Sequence, residues 1–137
     1  MKDYTIAENI PCYLVKAQTF PDGVMAAHQQ LHAAFAFDGH RRFFGISRGL
    51  PGGGIDYSAA VEKMEGDTIA PNRFESFVIP AGRYRGTELP DFRKDIPAIG
   101  RLFSQLLQDP ELDPNGFCLE WYYNMNDVQC TVKLVDK

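Results

Sequence analysis

FCLEWYYNMNDVQCTVKLV, residues 117–135, places alternating side chains on either side of the turn-forming run Asn124-Met125-Asn126-Asp127. Successive side chains of a strand point to opposite faces, so the stretch reads as a hairpin of two strands, 117–123 and 128–135. Pairing Asn124 with Asp127 puts Phe117, Leu119, Trp121 and Tyr123 on one face with Val128, Cys130, Val132 and Leu134. Cys118, Glu120 and Tyr122 then share the other face with Gln129, Thr131 and Lys133. The apolar face is expected to lie under helices. Glu120 is therefore expected to point away from that core, with Tyr122 beside it at i+2. A carboxylate flanked by a ring suits an organic cation, because the acid supplies charge and the ring adds ~0.5–2 kcal/mol of quadrupole attraction. A solvated Glu120 on an open sheet face, or one paired with Lys133, fits the same spacing.

Working backwards from the hairpin, Ile96, Ile99, Leu102, Phe103 and Leu106 recur at 3.6-residue spacing and predict a helix, with Asp95 as its cap and Pro97 tolerated in the first turn. Before it, residues 74–79 and 83–88 form an extended run broken by Pro80-Ala81-Gly82. The first half shows the same order: a strand over 12–18, a helix over 24–35 capped by Asp22, and strands over 42–48 and 55–64. The segment 49–54, with four glycines, is a hairpin connection and not a phosphate cradle, since no Gly-Lys-Ser/Thr follows it. The chain thus reads β-α-β-β twice, although residue identities barely repeat. Two helices beside short, tightly connected strands predict an α+β domain with an antiparallel sheet. The 137 residues are the usual size of a single domain, taken as 1–137.

Composition narrows the chemistry. Net charge is −4 and the 14 basic residues are dispersed, so no concentrated basic face is expected for nucleic acid. No stretch approaches the ~18 apolar residues of a membrane span, and an odd count of three cysteines without Cys-x-x-Cys spacing suits free thiols in a cytoplasmic protein. His28 and His32 share a helical face but lack a third ligand, which favours structural roles over a metal site. No serine or cysteine shows a nucleophile pattern, and no cofactor is implied.

Three motifs carry a resemblance: Glu120-x-Tyr122 in the closing hairpin, Ile79-Pro80-Ala81-Gly82-Arg83-Tyr84, and Tyr57-Ser58-Ala59-Ala60-Val61 following Phe44-Gly45-Ile46. In these the chain resembles the GyrI-like family, also called AraC-type effector-binding domains, from about Cys12 to Val135. The resemblance implies two β-α-β-β units in a curved sheet, both helices on one face and a ligand groove on the other. It places the family's central acid on Glu120 and aromatic neighbours on Tyr122, Tyr57, Tyr84 and Phe92. It implies binding of a small, lipophilic, cationic aromatic molecule. Alternatives within the same resemblance are hydrolysis of strained cyclopropane-type compounds with Glu120 as general base, and docking to a protein such as gyrase. No helix-turn-helix precedes the domain in this sequence, so direct contact with nucleic acid is not expected.

Overall fold

The structure is a computed structural model and describes residues 1–70 and 72–136. Eight strands and two helices follow one another as β1 (Lys2–Ile6), β2 (Ile10–Lys16), α1 (Val24–Ala34), β3 (Phe43–Gly49), β4 (Ile55–Glu62), β5 (Glu75–Ile79), β6 (Gly82–Leu89), α2 (Pro97–Leu106), β7 (Cys118–Trp121) and β8 (Val128–Lys133), with a 3₁₀ turn at Phe92–Lys94. All strands pair antiparallel in one sheet of order β1-β6-β8-β7-β3-β4-β2-β5. The fold is α+β, a half-barrel sheet carrying two helices.

Connectivity makes the sheet curl. β5 lies at one edge and β6 lies next to the other, yet only Pro80 and Ala81 separate them in sequence. Since each residue spans at most ~3.6 Å, that link is too short to cross a flat sheet of eight strands. The two ends must therefore approach each other. Inside the curl, Ile10 and Cys12 of β2, Phe44 and Ile46 of β3, Ile79 of β5, Tyr84 of β6 and Leu119 of β7 pack as one cluster. The sheet thus covers its own concave face.

The convex face carries both helices, side by side. Ala27 and Leu31 of α1, with Phe35 just past its end, pack on Phe43, Tyr57, Ala59 and Val61. Leu102, Phe103 and Leu106 of α2 pack on Cys118, Val128, Cys130 and Val132. α1 sits over β2 and β4, and α2 sits over β6 and β8. The central pair β3 and β7 lies between them.

Several expectations need correction. Residues 2–6, which carry no strand signal in the sequence, form an edge strand; β1 lies along β6 from Lys2↔Gly86 to Ile6↔Gly82. Neither helix has the predicted side-chain cap: Gly23 precedes α1, Ile96 precedes α2, and Asp95 instead pairs with Arg101. Most consequential is the closing hairpin, where Glu120 faces Cys130 and Cys118 faces Val132. That register differs by one residue from an Asn124–Asp127 pairing. The reason is local: Asn124 Oδ1 accepts hydrogen bonds from the backbone N–H groups of Asn126 and Asp127, closing a turn within a longer loop. A shift of one residue exchanges the faces of the two strands relative to each other. Glu120 consequently shares the helix-bearing face with Cys130 and Val132, while Gln129, Thr131 and Lys133 turn into the concave interior.

Candidate ligand-binding site

Because β3 and β7 lie between the helices, the convex face has a gap above them. A hollow of about 1150 Å³ occupies it, above the roughly 300–1000 Å³ of most small-molecule sites. α1 contributes Met25, His28 and His32 to its walls, and α2 contributes Ile99, Gly100 and Phe103. Phe43, Tyr57, Cys118, Glu120 and Tyr122 form the floor. The predicted carboxylate does open into a ring-lined hollow. It does so on the helix-bearing face, not on the opposite one.

Glu120 is buried, with 7% of its surface exposed. Both of its protein hydrogen bonds fall on one oxygen: Tyr57 donates its hydroxyl to Oε1 at 2.8 Å, and Tyr122 donates to the same atom. Among the described residues no side chain bonds Oε2 and no basic group pairs with the carboxylate. Oε2 is also not sealed from solvent-sized space, which leaves it fronting the hollow. Burial raises the acid above its ordinary 4.5, and the two phenols only partly offset that by stabilising the anion. Burial, followed by the nearby carboxylate, raises both phenols well above 10, so they remain proton donors.

The constellation extends one residue further. His28 Nε2 lies 2.7 Å from the Tyr57 oxygen. With the Tyr57 proton committed to Glu120, the imidazole satisfies this contact as the Nε2–H tautomer. Burial, then His32, lowers His28 to about 4, so it is neutral at pH 7. The ring also meets Tyr122 edge-on at 5.2 Å, and Phe92 meets Tyr122 at 5.5 Å. His28, Tyr57, Glu120, Tyr122 and Phe92 thus form one connected group drawn from α1, β4, β7, the residue after β7 and the 3₁₀ turn.

Of the residues named from sequence, Glu120, Tyr122, Tyr57 and Phe92 come together here. Tyr84 does not: it lies on the concave face with its hydroxyl donating to the Pro80 carbonyl at 2.7 Å. His28, for which the sequence favours a structural role, belongs to this group. Its spacing of four from His32 was visible, but its partner Tyr57 lies 29 residues away. His32 stacks on Phe43 at 4.7 Å, and no group of three metal-type side chains occurs among the described residues. Cys12, Cys118 and Cys130 are free and buried, and burial pushes Cys118 up to about 11, which keeps it a thiol at the edge of the hollow. No helix among the described residues is long and apolar enough to cross a membrane.

No protein-family model matches the chain, and no curated protein matches it. Among solved structures it is similar to an integron cassette protein from the mobile metagenome of Vibrio cholerae, at 12% identity with a TM-score of 0.66. The match covers 98% of this chain and 95% of that one. Likeness at this identity shows the fold alone, an antiparallel half-barrel with two helices.

Proposed function

We propose that the chain binds a small, lipophilic, cationic aromatic molecule in the hollow between α1 and α2, with Glu120 as its counter-charge. One observation carries this reading. A carboxylate is buried among aromatic rings with two phenols as its only hydrogen-bond donors and no cationic partner among the described residues. Burying a lone anion costs several kcal/mol, and a bound cation offsets that cost while the surrounding rings add cation–π attraction. The order β2-α1-β3-β4 and β6-α2-β7-β8 supports treating the chain as two β-α-β-β units of the GyrI-like kind.

Calorimetry with tetraphenylphosphonium and its neutral counterpart triphenylphosphine oxide tests the proposal. Glu120→Gln is expected to weaken the cation by roughly thirtyfold or more, since removing one partner of a buried charge pair costs about 2 kcal/mol or above. The neutral compound should change little. Equal losses for both would reject a charge role for Glu120.

A second reading is hydrolysis of a strained electrophile, with Glu120 as general base. It is favoured by the burial that raises the pKa of Glu120 and makes its carboxylate a stronger base, and by the two phenols that fix the carboxylate while leaving Oε2 open to take a proton from water. Product formation from a cyclopropane-containing substrate, lost in Glu120→Gln, would support it. Stoichiometric binding without product would refute it.

A further inference from the structure

The same register that turns Glu120 toward the helices turns Leu119, Trp121, Gln129 and Thr131 into the concave interior. There they face a separate hollow of about 440 Å³. Four aromatic side chains, Tyr4, Phe44, Tyr84 and Trp121, are among its fifteen lining residues, beside the aliphatic Ile10 and Leu119. Into this surface project polar groups that the protein leaves without partners. Thr131 is 2% exposed, and its hydroxyl has no hydrogen bond among the described residues. The Gln129 amide likewise has none. The Tyr4 oxygen is buried beside Glu88 without a hydrogen bond of good geometry.

Of these groups the Tyr4 oxygen is sealed from water, and an unpaired group so placed costs ~1–3 kcal/mol. The Thr131 hydroxyl and the Gln129 amide remain within reach of the hollow and can hydrogen-bond what enters it. The hollow carries no buried unpaired charge: at its rim Arg42 and Glu62 neutralise each other at 2.8 Å, and Glu8 is exposed. A charged ligand thus gains no buried counter-charge here. An uncharged planar molecule gains ring contacts with Trp121 and hydrogen bonds from an amide, a hydroxyl and a phenol.

We propose that the concave hollow is a second ligand site, independent of Glu120, for a small uncharged heteroaromatic molecule bearing both a donor and an acceptor, stacked on Trp121 and anchored by Thr131 and Gln129. The two sites lie back to back on β7, where Glu120 and Trp121 differ by one residue and point to opposite faces.

Trp121 is the chain's only tryptophan, so its fluorescence reports directly on this hollow. Nicotinamide and hypoxanthine, titrated to about 10 mM as befits fragment-sized ligands, are the probes. At least one is expected to change Trp121 emission saturably and to shift the backbone amide resonances of Gln129 and Thr131. Thr131→Val combined with Gln129→Leu should weaken binding roughly tenfold or more, as lost hydrogen bonds of ~1 kcal/mol each imply. Thr131→Ser, which keeps the hydroxyl, should retain binding, and it serves as the comparison should the double variant fail to fold. Glu120→Gln and saturation with tetraphenylphosphonium should leave the titration unchanged. The proposal is overturned if neither probe perturbs Trp121 or those amides, if the folded double variant or Thr131→Val alone binds as tightly as Thr131→Ser, or if tetraphenylphosphonium displaces the probe.

Discussion

At Gly45 a methyl group would overlap the Tyr57 hydroxyl and Oε1 of Glu120 at once. The residue lies on β3 between its pairing partners Ala59 of β4 and Glu120 of β7, so the phenol can reach across the vacant side-chain position to the carboxylate. Gly45→Ala is accordingly expected to push Tyr57 off Glu120 and to leave the acid with Tyr122 alone. Overpacking of this kind costs about 1–3 kcal/mol, which chemical denaturation would measure. Affinity for tetraphenylphosphonium should fall in the same variant while the far hollow still takes its neutral probe; unchanged affinity would show that the Tyr57–Glu120 bond is dispensable. Much of this residue-level arrangement was legible in the sequence, because a mid-strand acid followed by a tyrosine is a local pattern. The dependence of Glu120 on Gly45 and His28 was not, since both are brought to it by strand pairing and helix packing across long stretches of chain.

Among the elements, the β7–β8 hairpin decides which chemistry faces which way. Its loop is held by Asn124, whose Oδ1 accepts from two backbone N–H groups at 2.7 and 2.8 Å and whose Nδ2 donates to Asp127 at 3.0 Å. Asn124→Ala removes all three bonds and is expected to destabilise the protein by about 1–2 kcal/mol, with faster amide exchange in β7 and β8 than in β3 and β4. Asn124→Asp, which retains the acceptor, should recover part of the loss; equal exchange in the two variants would place the register's control elsewhere. The same hairpin shows where reading from sequence failed. Both parities place large apolar side chains on each face, because both faces of this sheet are buried, one by helices and one by the curl. Alternation alone could not choose between them. By contrast α2 was legible, since Leu102, Phe103 and Leu106 face a core on one side only. The edge strand β1 was not, because all five of its residues remain partly or fully exposed apart from their ladder to β6 and carry little apolar signal.

For the whole molecule, the buried acid and the buried imidazole pull the pH dependence of stability in opposite directions. His28 is lowered from 6.5 to about 4 on folding, so the unfolded chain binds more protons across that window. Its contribution is present above about pH 6.5 and is lost as pH falls toward 4. Glu120 is raised above 4.5, so the folded chain holds the extra proton. Its contribution is fully present below 4.5 and is lost as pH rises through the raised value, above which the empty protein carries an uncompensated anion. Glu120→Gln removes the second effect and keeps the first. Denaturation series from about pH 4 to 8 should therefore show the variant and the parent equally stable at the acid end. The variant should gain by about 1 kcal/mol or more toward neutrality, because the amide oxygen still accepts from Tyr57 and Tyr122 without the cost of burying charge. Saturating tetraphenylphosphonium should reverse the order at pH 7, since a ligand that binds only the folded state stabilises the parent by mass action and the variant much less. A pH-independent difference, or a variant less stable at neutrality, would mean that the phenols alone satisfy the carboxylate and that no cation is needed to complete the site.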